Sequence, residues 1–143
     1  MTFLLDVNVL IALLDPRHVF HERAHGWFER DAQSGWATCP LTENGVIRIM
    51  GHHRYLEGPG SPGRAAALVS GLRRSPNHCF WPDSLSLFDC PAVRIENLTT
   101  SAQITDTYLL ALAVHHDGAL ATFDRKLSIA AVSGGASALH VID

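Results

Sequence analysis

The sequence predicts an α/β domain with a largely parallel sheet. Three observations predict it. Short apolar runs alternate with amphipathic stretches along the length of the chain. Two of those runs, FLLD near the start and ALATFD near the end, stop on an aspartate. Such acids fall at the carboxyl ends of strands, where open parallel sheets build their ligand and metal sites. Finally, 143 residues at 47% hydrophobic suffice for one core but hardly for two, so a single domain is expected.

Taken in order, residues 2–5 read as a short buried strand. Residues 7–14 follow as a helix that Asp6 can cap. Asp15-Pro16 breaks the chain, and residues 18–33 place Phe20, Ala24, Trp27, Phe28 and Ala32 at amphipathic-helix spacing. A strand at 35–39 precedes a helix at 40–50, opened by Pro40 and stopped by Gly51. The Gly- and Pro-rich stretch 57–63 is a loop leading into a helix over 64–73. Residues 79–81 suit a third strand or an edge, while 84–98 carry no clear period beyond room for a short helix and an extended piece. From residue 101 the pattern returns: a helix to about 116, a strand at 119–123, a short helix at 125–131 and a last strand at 139–142.

Composition narrows the classes. No apolar run reaches the roughly 18 residues of a membrane span, and the N-terminus lacks the basic flank and cleavage site of a leader, which predicts a cytoplasmic protein without a membrane partner. Cys39, Cys79 and Cys90 are odd in number and fit no close metal spacing, so they read as reduced packing residues. Net charge is −3, yet Arg48, Arg54, Arg64, Arg73 and Arg74 face only Glu57 across their segment. That middle region is locally basic and suits RNA phosphates, with Arg48, Arg54, Arg73 and Arg74 as the candidate contacts; an ordinary solvated face explains it equally well.

Four carboxylates carry the chemistry. Glu43 shares a helix face with Val46, Ile47 and Met50, and Asp106 shares one with Leu109, Leu110 and Ala113, so both acids point where apolar residues point. Asp6 and Asp124 end strands. Any one of the four is explained by helix capping and the helix dipole. All four together are harder to explain that way, because crowded carboxylates repel and take up protons unless a cation neutralises them. Oxygen ligands of this kind suit Mg²⁺ or Mn²⁺, which can activate water and hold a phosphodiester; the chemistry implied is phosphodiester hydrolysis.

The runs TFLLDVNVLIALLD, PLTENGVIRIM around Glu43, and ITDTYLLALAVHHDGALATFDRKL resemble the PIN-domain ribonucleases, specifically the VapC toxins of bacterial toxin–antitoxin pairs. The resemblance runs in order over nearly the whole chain. It implies a three-layer α/β/α sandwich and a metal-dependent endoribonuclease acting on structured RNA, tRNA or ribosomal RNA, with a 3′-hydroxyl leaving group. It also implies a homodimer and inhibition by a cognate VapB antitoxin. Asp6, Glu43, Asp106 and Asp124 fall on the family's acidic quartet, with Asp6 and Asp106 foremost as metal ligands. Asn8 falls in its D-x-N motif, and Thr122 on the hydroxyl residue two before the last acid. On physical grounds Asn8 can hold a carboxylate rotamer or support the cap, and a β-branched Thr122 suits a strand with no further role.

Other readings are weighed against this. His21-Glu22-Arg23-Ala24-His25 matches H-E-x-x-H, but the apolar stripe leaves both histidines at its margin and supplies no third ligand, so a zinc site is not expected. The pairs His52-His53 and His115-His116 could support metal-free acid–base catalysis, but adjacent helical residues point about 100° apart, and both pairs read as exposed helix ends. A non-catalytic, Mg²⁺-binding receiver-like domain would need a lysine at a late strand end, whereas Lys126 follows Asp124 by two residues. An inert scaffold is the remaining alternative, and the complete quartet argues against it.

Overall fold

The computed structural model describes residues 1–143. Five parallel strands form one sheet in the order β3-β2-β1-β4-β5. In chain order the elements are β1 (Phe3–Leu5), α1 (Val7–Leu14), α2 (His21–Asp31), β2 (Trp36–Thr38), α3 (Pro40–Met50), α4 (Pro62–Arg73), β3 (His78–Phe80), α5 (Gln103–His115), β4 (Ala119–Thr122), α6 (Gly135–Ala138) and β5 (Leu139–Val141). No helix is long and apolar enough to cross a membrane.

Strand β1 is central, and its side chains alternate between two buried faces, which is why it reads as a continuous apolar run. Phe3 and Leu5 pack with Leu10 and Leu13 of α1, Trp27 of α2, Val46 and Met50 of α3 and Val69 of α4. Leu4 faces the other way, with Ala37, Leu120 and the Leu109–Leu112 stretch of α5. The result is the three-layer α/β/α sandwich. Burial on both faces also explains why α5 is apolar almost all round: residues 107–113 are all buried.

Parallel connections fix where chemistry can gather. Helices α1 and α3 begin directly beyond the carboxyl ends of β1 and β2. Helix α5 precedes β4 and runs back across the sheet, so its first turn lies at that same edge. Asp6, Glu43, Asp106 and Asp124 therefore share one edge of the sheet.

Helices α1 and α3 span the residues their pattern predicts, but other elements differ. Helix α2 starts at His21 rather than residue 18, because His18 Nδ1 accepts the Phe20 N–H at 3.0 Å in a turn after Asp15. Residues 84–98 hold no strand, only a 3₁₀ turn at Ile95–Asn97 and one antiparallel bridge, Val93 to Val132. The helix expected at 125–131 is absent. Its backbone groups are taken elsewhere: Asp124 Oδ1 accepts the Lys126 N–H at 2.8 Å, and Arg94 N–H donates to Ala131 O at 2.8 Å. Its apolar residues Leu127 and Ala131, and Val132 just beyond them, are buried without a helix. A single-turn helix, α6, forms later instead.

Two further expectations are corrected. Cys79 is exposed, and only Cys39 is fully buried. His116 is not an exposed helix end but stacks flat on Trp81, ring centroids 4.1 Å apart, with its Nε2 buried and unpartnered.

Candidate active site

Asp6 caps α1: its Oδ1 accepts the Val7 N–H at 2.7 Å, which is why β1 ends and a helix starts there. Its other oxygen is held from the side. Thr122 Oγ1 donates to Asp6 Oδ2 at 2.7 Å, and Asn8 Nδ2 donates to the same atom at 3.3 Å. The Thr122 hydroxyl also accepts from Asn8 Nδ2 at 3.0 Å and from the Asp124 N–H at 3.1 Å. Asn8 Oδ1 in turn accepts the Phe123 N–H at 3.2 Å. This closed web stitches the end of β1 to the end of β4 and fixes Asp6 against Asp124. It gives Asn8 and Thr122 one positioning task, which neither residue reveals by its type alone.

Three aspartates feel one another. Burial, against the pull of the Thr122 and Val7 bonds, holds the Asp6 carboxyl above its ordinary value, and the charge of Asp124 adds to this. Asp106 is half-buried in the first turn of α5. Burial first, then the charges of Asp6 and Asp124, push its carboxyl up to about 6. Hard oxygen donors crowded so that charge on one is disfavoured by its neighbours are the chemistry a divalent cation relieves, so these residues fit a hard divalent cation. No three acidic, histidine or cysteine side chains are drawn into a finished coordination group.

Glu43 is held differently. It lies in the first turn of α3, mostly covered, and its Oε2 accepts from Thr38 Oγ1 at 2.6 Å and faces Arg73 Nε at 3.4 Å. Helix α3 sits hard against α1: a β-carbon on Gly45 would stand 2.8 Å from Val7 Cγ2. That glycine lets the second turn of α3 lie close against the first turn of α1, next to Asp6. A glycine inside a helix is the sequence signal for such an approach. Thr38, buried at the end of β2, gave no signal of its own.

The candidate RNA contacts divide. Arg48 and Arg54 are exposed and line a shallow recess of about 460 Å³ with Ile49, His52 and Tyr55. Arg74 is exposed at the end of α4, whereas Arg73 is engaged by Glu43 and lies over the Phe80 ring. Glu57 does not answer the basic segment but pairs with Arg17.

The H-E-x-x-H match is structural. His21 Nδ1–H donates to Ala12 O at 2.7 Å and His25 Nε2–H to Leu13 O at 2.8 Å, so the two rings cap carbonyls in the last turn of α1.

Comparison with known proteins fits this architecture. The PIN domain family matches residues 3–133, and the chain belongs to that family. Within it the chain stands among the VapC ribonucleases. Ribonuclease VapC44 of Mycobacterium tuberculosis is 43% identical over 134 residues, covering 94% of each chain. Ribonuclease VapC39 of the same organism is 40% identical over 134 residues, covering 94% of this chain and 96% of that one. Among solved structures, a chain from the crystal structure of VapBC2 from Rickettsia felis bound to a DNA fragment from their promoter has the same fold. It matches at a TM-score of 0.58 over 100% of both chains, with 10% identity.

Proposed function

We propose that this chain is the toxin of a type II toxin–antitoxin pair, a single PIN domain that hydrolyses RNA phosphodiester bonds with Mg²⁺ or Mn²⁺. The observation that carries the reading is the convergence of Asp6, Asp106 and Asp124, close enough that the charge of Asp124 bears on Asp6 and the charges of Asp6 and Asp124 on Asp106, in a chain 43% identical to a VapC ribonuclease. Asp6 and Asp106 are the principal metal ligands, Asp124 completes the acidic edge, and Glu43 ligates or orients from α3. A cation held by these residues would supply an acidified water and positive charge for the scissile phosphate. The protein's part is to hold the Asp6 rotamer through Thr122 and Asn8, so that the donor set is in place before RNA arrives.

Exposed Arg48, Arg54 and Arg74 offer phosphate contacts, Arg74 next to the Arg73 that meets Glu43, and Arg48 and Arg54 at the far end of α3 and just beyond it. The RNA is a structured tRNA or ribosomal RNA, the protein acts in the cytoplasm as a homodimer, and a VapB-type antitoxin restrains it. The test is incubation of total cellular RNA with purified, antitoxin-free protein in Mn²⁺, then with EDTA, alongside Asp106→Asn. A discrete fragment that requires both the metal and Asp106 is the expected result. Cutting that survives EDTA would overturn the metal site, and no cutting under any condition would favour an inert scaffold.

A further inference from the structure

Beside the acidic edge lies a second chain of hydrogen bonds, reaching Glu43 from edge strand β3. Thr38 Oγ1 stands 2.6 Å from Glu43 Oε2 and 2.8 Å from His78 Nε2. A hydroxyl has one proton to give. A carboxylate can only accept, so Thr38 donates to Glu43 and must itself accept from His78. We propose that His78 and Thr38 form a directed relay, His78 Nε2–H to Thr38 Oγ–H to Glu43 Oε2, that positions Glu43 for the reaction. Arg73 closes the same oxygen from α4. Both contacts on Glu43, from Thr38 and from Arg73, fall on Oε2, leaving Oε1 as the oxygen with no protein partner.

Two further observations support the assignment. His78 is anchored, its ring 4.5 Å from that of Trp36, and β3 pairs with β2 so that His78 faces Trp36 and Phe80 faces Thr38 in register. Burial, helped by the charge of Arg73 and opposed by that of Glu43, holds the imidazole below its ordinary pKa, which keeps it neutral near pH 7 with a single ring proton to place. His78 and Thr38 are thus positioning residues that act through Glu43 and touch no substrate. They also give the edge strand a reason to carry a histidine where its neighbours are apolar or exposed.

The inference rests on Glu43 belonging to the active edge, and its test separates the two. In ¹⁵N-labelled protein without metal, His78 should show a slowly exchanging Nε2–H proton and an unprotonated Nδ1. That signal should persist in Thr38→Ser and vanish in Thr38→Val. In Mn²⁺, Thr38→Val and His78→Phe should each lower kcat for RNA cleavage by about 10- to 100-fold with KM little changed. Thr38→Ser and His78→Gln, which keep the donors, should restore most of it. A protonated Nδ1, or a Thr38→Val protein with native kcat, overturns the relay while leaving the nuclease reading intact. If the native protein cuts nothing, the nuclease reading fails, and the resonances still decide whether the relay exists.

Discussion

The two ends of α1 set side by side show how one helix serves two purposes. At its start a single aspartate caps the first turn and is drawn, through Thr122 and Asn8, into a cluster of like charges. At its finish two histidines cap the last carbonyls, and Asp15 accepts a 2.5 Å hydrogen bond from Tyr55. Charge is concentrated at one end and satisfied at the other. Local strain of that kind belongs to sites that act, while full satisfaction belongs to parts that hold. Sequence appearance runs opposite to role, since the metal-binding motif lies at the structural end.

The sharpest way to break this contrast is Asp6→Asn. Asparagine is as good a cap as aspartate, so the helix survives; the amide nitrogen it sets against the Thr122 and Asn8 donors offsets the relief of removing a buried charge that its neighbours disfavour, and melting should stay near the native temperature. RNA cleavage in Mn²⁺ should nonetheless fall by at least about 100-fold. Loss of stability together with activity would mean that Asp6 is mainly a structural cap. Next in size are Asn8→Ala and Thr122→Val, each expected to reduce cleavage about 10- to 100-fold by freeing the Asp6 carboxylate, read as kcat on a defined RNA.

At the other end, effects should appear in stability and not in activity. His21→Ala and His25→Ala each leave a helix carbonyl without its donor. Either should lower unfolding free energy by about 1–2 kcal/mol in urea titrations while cleavage is unchanged. Added Zn²⁺ should not restore the loss.

The smallest effect concerns Tyr55→Phe. Although its own desolvation opposes this, the Asp15 carboxyl is held below its ordinary range by the Tyr55 hydroxyl, the Arg17 N–H and the charges of His18 and Arg17. A depressed folded-state pKa contributes stability that is present above the unfolded value and lost as pH falls through the folded one. The Tyr55→Phe defect should therefore be no more than about 1 kcal/mol at pH 7, because Asp15 is only partly buried and stays in reach of solvent, and should shrink below about pH 4. Urea melts of both proteins across that range check the sign.

Much of this was legible in the residues. Helices α1 and α3 were visible to the residue because apolar period and start signal agree, Asp6 for one and Pro40 for the other. The acids could be named because each interrupts an apolar face. The web around them could not, since Thr122 lies 116 residues from Asp6 and His78 lies 40 from Thr38. Nothing local in a threonine tells which carboxylate it will reach. The stretch 125–131 misled for a related reason: its burial comes from tertiary pairing with residues 92–94, which periodicity mistakes for a helix face.

The closed web at the sheet edge also bears on how the protein is made. The first half of the site leaves the ribosome early, and the partner that fixes it is 116 residues away. At about 5–20 residues per second, Asp6 waits roughly 6 to 23 s for Thr122. Until β4 docks beside β1, no nascent chain holds its acids in the arrangement described above. A ribosome-bound fragment that stops short of β4 is an unarmed molecule, for the acid made first gains its arrangement only after β4 has been made and has folded back.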